Sequence, residues 1–460
     1  MTLSESIQRR ALDNFLVNRR YPSALRRAVL RAALKSQFGR RWSASAPKVD
    51  AWVERSWRAG PDNEPSERRI AAWRRKYPKP FPFYKEDLFD RVFGYLNREV
   101  EFVDGRWADH WGDAALYGIV TDTLAYRMTQ DESALERALL SKRANLADIR
   151  AARKNPRRMV EHVEQSLMGA LGLLLAYDDL PDWEIVPEAV SIIHNFTELL
   201  EMLGGYLEAG LPTAFADYYG RTTPSAMFFL MNLFLADFYK RHDHPVRSGK
   251  SVGAALRLLD AIREKAFDPD GPRYRFAPGE ERAYCYPNPI MILGLALLHK
   301  LTGDPAALTE AEGIFGWLQN LKDEKRGGYW TPYLHALRKT AYDLDIKSLS
   351  AQNYVLYACL YLHRITKNRW YLKEMKSLLD FIERDLYYDG LIWHDIEQGR
   401  RANMDSPEPY CIGCNLMTLY VLLEINFVDR LGDKLIAMDQ KEKEAEKAKA
   451  AEKVTSIVRG

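Results

Sequence analysis

The sequence predicts an all-α fold, six helical hairpins closed into an (α/α)6 toroid with an extra N-terminal helical region, and three observations predict it. A pair of helices joined by a short polar turn recurs along the chain. The first helix of each pair is apolar nearly all round, whereas the second carries a narrow apolar stripe among charges, so one is buried on both sides and the other faces water. The turn residues Thr129, Asp179, Arg241, Thr302, Thr366 and Val428 fall at steps of 50, 62, 61, 64 and 62 residues. Five near-equal steps make six units, and an inner ring of buried helices within an outer ring of half-exposed ones satisfies both patterns.

The clearest copies are NPIMILGLALLHKLTGDPAALTEAEGIFGWLQNL from Asn288 and AQNYVLYACLYLHRITKNRWYLKEMKSLLDFIE from Ala351. Others begin at Asp113, Ser166, Ala226 and Cys411. Pro224, Pro287, Pro289 and Pro409 stand at the entries to the buried helices, where a missing N–H costs nothing. Gly327-Gly328 and Asp389-Gly390 follow outer helices at left-handed-prone positions. The short pieces GGYWTPY and GLIWHDI are expected to pair locally as hairpins within loops. The toroid is placed at 101–433, after an extension over 1–100 and before a charged helical tail over 434–460.

Composition narrows the function classes. Across 460 residues the formal net charge is +3, too close to balance to imply nucleic acid as a partner of the whole molecule. Four cysteines are too few for a disulfide framework and fit a reducing compartment. The first 22 residues have no long apolar region and no run of about 18 apolar residues occurs, so the expected location is cytoplasmic. Residues 14–48 hold many basic and no acidic side chains, and their amphipathic stretch is a candidate for peripheral contact with an anionic membrane.

Candidate chemistry gathers in the segments entering the buried helices, which are rich in polar and aromatic residues, while the opposite turns (TGDP, TQDE, TKNR) are plain. Asp343 and Asp345, with Glu408 one hairpin later, are the candidate catalytic carboxylates, one held protonated and one ionised across a cleft. Asp109 and His110, beside Trp107, enter the first buried helix. Together with Tyr286, Asn288, Tyr329, Trp330, Gln352 and Tyr410 they make the candidate sugar-binding set, the aromatic rings by stacking and the amides by hydrogen bonding. Cys411-x-x-Cys414 has zinc spacing but no matching second pair, so it is read as two small thiols packing a helix start. No metal and no cofactor is expected. Asp178-Asp179 lies at a turn on the far side and is read as solvated.

The phrases LHKLTGDPAALTEAEGIFGWL and YLHRITKNRWYLKEMKSLLDFIE resemble the six-hairpin glycosidase-like superfamily and its N-acylglucosamine 2-epimerase-like relatives, over roughly residues 100–430. The resemblance implies the toroid, a cleft at the elaborate mouth and a carbohydrate or glycoconjugate substrate. GGYW at Gly327 followed by YDLDIKSLSAQN looks like the loop and helix entry that line the sugar site in such proteins. No His stands near Gln352 or within 403–415, a departure from the epimerase pattern that favours carboxylate chemistry. The expected activity is glycoside hydrolysis; a polysaccharide lyase, a sugar epimerase and a non-catalytic membrane-associated scaffold stay open.

Overall fold

Helices alternate between two environments along the chain in the computed structural model, which describes residues 82–107, 113–154, 163–180, 185–202, 222–279, 284–331, 346–397, 400–401 and 410–459. The buried series is α2 (Asp113–Thr129), α4 (Val163–Leu175), α6 (Thr222–Arg241), α8 (Pro287–Thr302), α10 (Leu349–Thr366) and α12 (Ile412–Leu423). The half-exposed series is α1 (Glu86–Glu99), α3 (Glu132–Lys154), α5 (Ile185–Met202), α7 (Pro245–Ala266), α9 (Pro305–Leu318) and α11 (Arg369–Phe381). Each buried helix packs on the next, and α12 packs back on α2, which closes the inner ring. Every residue of α12 is buried, as the all-round apolar pattern requires. In α9 only Ala307, Ala311, Ile314, Phe315 and Leu318 are buried, a single stripe at helical spacing.

The outer ring closes through α1. The Arg137 guanidinium of α3 lies 5.7 Å from the Phe93 ring of α1. At the other side Lys85, one residue before α1, reaches Asp380 of α11 and Glu383 at 2.5 Å each. The helix that completes the ring thus comes from within the stretch the sequence analysis assigned to the extension. The tail α13 (Gly432–Arg459) is tied to α11 by Lys376, which contacts Asp439 at 2.8 Å and Glu442 at 2.7 Å. Residues 14–48 lie outside the described residues. Among the described residues no single helix is long and apolar enough to cross a membrane.

At one end of the ring the inner-to-outer turns repeat one chemistry. The hydroxyls of Thr129, Thr302 and Thr366 donate to the carbonyls of Ala125, Leu298 and Leu362 at 2.7, 2.7 and 2.8 Å. The same oxygens accept the N–H groups of Asp131, Asp304 and Asn368. Those three side chains then accept from Ser133, Ala306 and Trp370, capping the next outer helix. Ion pairs join neighbouring turns: Arg127 with Asp179, Arg241 with Asp178, Lys300 with Asp237, and Arg364 with Asp429 and Glu424. The aspartate pair 178–179 is therefore spent on holding inner-helix ends together.

The opposite end is held by amide side chains. Asn288 accepts the N–H of Tyr274 at 2.7 Å and donates to the carbonyls of Tyr274 and Tyr284. Gln352 does the same to Tyr329, with Ser348 as the third partner. Asn415 does so to Ile392, with Cys411 as the third. Each residue sits in the first turn of an inner helix and grips the strand or bridge that follows the preceding outer helix. The chain segments so gripped are β4 (Arg273–Tyr274), paired with β3 (Phe267–Asp268), the Lys322–Tyr329 bridge, and β7 (Leu391–Ile392), paired with β6 (Tyr387–Tyr388). Gly327 and Gly328 turn the second of these at φ 79° and 73°, and Asp389 and Gly390 turn the third at 53° and 90°. An earlier hairpin, β1 (Phe102–Val103) with β2 (Arg106–Trp107), precedes α2.

Candidate functional site

The elaborate end of the ring is organised by a three-stranded sheet. Strand β5 (Ile346–Ser348) pairs antiparallel with β8 (Asp395–Glu397), which pairs with β9 (Arg400–Arg401). Thr331 donates to Ile346 at 2.7 Å, and Leu349, the first residue of α10, donates to the His394 carbonyl at 2.6 Å. Two chain segments that carry candidate carboxylates adjoin this sheet in sequence: 332–345 enters β5, and 402–409 follows β9. Asp343, Asp345 and Glu408, like Asp109 and His110, lie outside the described residues.

Around the inner-helix starts the structure gathers hydroxyl, thiol and imidazole groups from different hairpins. The Tyr286 hydroxyl meets Ser348 Oγ at 2.7 Å and also contacts Ser350. The phenols of Tyr117 in α2 and Tyr354 in α10 interact with each other, in the field of Asp113 and Cys414. Burial, reinforced by Asp113, holds both phenols well above their ordinary range, so they are neutral donors at any working pH. Asn353 donates to the Cys414 carbonyl at 2.8 Å and accepts from Thr418, joining α10 to α12. His394 lies with Cys411 and Cys414, their ligating atoms all within 4.8 Å of one another. Trp393 and the half-buried Tyr410 pack edge to face at 5.1 Å.

The sequence-derived binding set divides on this frame. Tyr286 and Tyr410 stand in the gathered cluster. Asn288 and Gln352 spend both amide protons and their carbonyl oxygen on hairpin backbone, and Tyr329 is fully buried with its hydroxyl donated to Glu374 at 3.0 Å. These three hold the scaffold: the two amides reach from inner-helix first turns to the segment ahead, and Tyr329 stands in one of the segments so gripped. Half-buried Trp330 carries the Lys347 ammonium 4.2 Å from its ring centre. Lys347 also pairs with Asp323 at 2.7 Å, and burial pulls its ammonium below the ordinary lysine value.

Trp107 is 4% exposed, edge-on to Phe102 at 5.1 Å and under the Arg137 guanidinium at 5.7 Å. Its indole N–H leans on the Asp122 carboxylate without completing a normal hydrogen bond. Asp122 is fully buried and paired with Arg137 at 2.7 Å, yet burial outweighs that attraction and its carboxyl is pushed up from 3.8 to about 6. The folded chain therefore holds this proton more tightly than the unfolded one. The group's contribution is most favourable below about pH 4 and is lost as pH rises through about 6, a fall of about 3 kcal/mol. Urea midpoints of the wild type and Asp122→Asn should differ by an amount that changes across this window and stays constant above it. A constant difference throughout would show that the Asp122 carboxyl titrates alike in the folded and unfolded chain, and a difference changing in the opposite sense would show that it is ionised in the folded chain at acid pH.

Sequence reasoning missed His394, Tyr117, Tyr354, Ser348 and Ser350. His394 reaches the last helix entry from a hairpin 17 residues upstream of Cys411, so a search for histidines beside Gln352 or within 403–415 could not meet it. Its signal was the GLIWHDI hairpin itself, which has to fold back onto a helix start.

With a closed double ring and hairpins massed at one end, the chain has the (α/α)6 toroid fold. Similar solved structures include the GH76 α-mannanase of Bacteroides thetaiotaomicron, at 12% identity and TM-score 0.52, covering 76% of this chain and 96% of that one. The cellobiose 2-epimerase of Bacillus thermoamylovorans matches at 12% identity and TM-score 0.51, over 74% and 98%. The unsaturated glucuronyl hydrolase of Bacillus sp. GL1 matches at 13% and 0.52, over 75% and 96%. At such identities the likeness is one of fold. No family model matches the chain, and no curated protein matches it in sequence.

Proposed function

We propose that the protein is a carbohydrate-active enzyme that cleaves a glycosidic linkage at the hairpin-lined mouth, with Asp343, Asp345 and Glu408 supplying the acid and the base or nucleophile. The observation that carries this reading is the strand order β5-β8-β9. In sequence, the segments bearing the candidate carboxylates run into β5 and on from β9, the two outer strands of one sheet. Hydrolysis needs two carboxyl groups from separate elements on opposite sides of a sugar. The hydroxyls of Tyr117, Tyr286 and Tyr354 suit hydroxyl-rich ligands, and Tyr410 offers an aromatic face. The fold neighbours that act on mannan, cellobiose and unsaturated glucuronyl sugars make a saccharide the first class to test.

The test is thermal stabilisation and turnover on a panel of oligosaccharides, uronates and lipid-linked sugars, repeated with Asp343→Asn, Asp345→Asn and Glu408→Gln. Retained binding with turnover reduced by about a thousandfold or more in one of them is expected. Epimerised rather than cleaved product would replace hydrolysis by isomer chemistry. No response to any sugar, with anionic-vesicle binding that needs residues 14–48, would favour a membrane-associated scaffold.

A further inference from the structure

We propose that Cys411, Cys414 and His394 form a metal centre of the zinc class at the mouth of the toroid. Their two sulfurs and one ring nitrogen all lie within 4.8 Å of one another. Tetrahedral zinc with Zn–S bonds of about 2.3 Å sets neighbouring sulfurs about 3.8 Å apart, so a contraction of about 1 Å completes the set.

The local backbone is shaped for such a centre. Cys411 is the N-cap of α12, and its Sγ accepts the Cys414 N–H at 3.2 Å, which curls the first turn so that both sulfurs face one point. The positive dipole end of a helix start favours the thiolate, the form that binds metal. His394 comes from the link between β7 and β8. Its carbonyl is fixed by Leu349 N–H at 2.6 Å, and the Asn415 grip on Ile392 holds the strand two residues before it. The third ligand is thereby tied to the same helix that bears the other two. Two thiolates and an imidazole make a soft-to-borderline donor set that selects zinc over magnesium or calcium. Cys285 and Cys359 make the contrast. Both are fully buried inside the ring, burial pushes the Cys285 thiol up to about 12 and the Cys359 thiol well up, and neither belongs to such a cluster among the described residues. The inference stands on these side-chain positions and is independent of the carbohydrate reading.

The decisive experiment is cobalt titration of the full-length, reduced, metal-stripped protein, with elemental analysis of the protein as purified. About one equivalent of Co(II) is expected to bind with thiolate-to-cobalt charge-transfer absorption and be displaced by zinc. Cys411→Ser and His394→Gln should each weaken binding at least about tenfold, with helicity by circular dichroism unchanged. A wild-type protein that takes up no cobalt with that absorption overturns the proposal without reference to any variant. So does cobalt binding unaltered in both variants, or a Cys411–Cys414 disulfide in anaerobically purified, metal-free protein. Because the readout is spectroscopic, absence of sugar turnover leaves this result untouched.

Discussion

Replacing Asn415 by Leu is expected to destabilise the protein by about 4 kcal/mol, because one side chain satisfies three buried backbone groups. Asn415 accepts the Ile392 N–H at 2.8 Å and donates to the carbonyls of Ile392 and Cys411 at 2.9 and 3.0 Å. Leucine keeps the same branching and number of side-chain heavy atoms but leaves one donor and two acceptors without that partner. Each orphaned group costs about 1–3 kcal/mol, and water has no ready path, since Ile392 and Asn415 are fully buried. Asn415→Asp separates the components: the carboxylate still accepts the N–H but donates nothing, so both carbonyls lose their partner and a charge is buried. Its loss should equal or exceed that of leucine at neutral pH and shrink as the carboxyl is protonated in acid. Chemical denaturation of both variants reads this directly. A loss under about 1 kcal/mol for Asn415→Leu would mean that the β6–β7 hairpin is held by its packing and not by the amide. The parallel change Gln352→Leu, which frees Tyr329 and Ser348, should behave alike if the grip is a repeated device.

That device shows how the fold was legible and the site only half so. The double ring follows from periodicity: an apolar band all round α12, and one stripe on α9, dictate inner and outer positions whatever the details. The TGDP and TKNR turns announced themselves because their hydrogen bonds are local, Thr302 to Leu298 and Asp304 to Ala306. Asn288, Gln352 and Asn415 were picked out or passed over by type alone, because a polar residue at a helix entry looks the same whether it faces a ligand or a hairpin. Only the fold shows that their valences go to backbone. His394 failed for the converse reason. Its neighbours Cys411 and Cys414 are assembled by a hairpin returning across a helix start, and no spacing rule in one dimension encodes that return. Trp107 looked like a stacking platform beside Asp109 and His110. Its burial over Asp122 and Arg137 depends on α3, a whole hairpin further along.

Arg364→Met should cost about 3 kcal/mol, and the loss should be partly repaired by a second change at Glu424. Arg364 donates to both carboxylate oxygens of Asp429, at 2.7 Å from its terminal nitrogen, and to Glu424, joining the ends of α10 and α12. Its guanidinium also lies 4.9 Å from the Tyr361 ring. The surrounding carboxylates raise its pKa against a burial penalty, so its charge is secure. Methionine keeps most of the packing volume and removes the charge, leaving Glu424, 9% exposed, without its guanidinium partner and with the Tyr420 hydroxyl at 3.0 Å. An uncompensated buried carboxylate is the costly part of a broken pair, and it takes up a proton when it can. The variant should therefore recover stability in acid and lose it as pH rises, the opposite slope to a paired carboxylate. Adding Glu424→Gln removes the stranded charge, so the double variant should be more stable than Arg364→Met at neutral pH and lack the acid recovery. If single and double variants both unfold at the wild-type midpoint, the inner-helix ends are held by packing of Tyr357, Tyr361 and Tyr420, and the ion pairs that lace this end are incidental to closure of the ring.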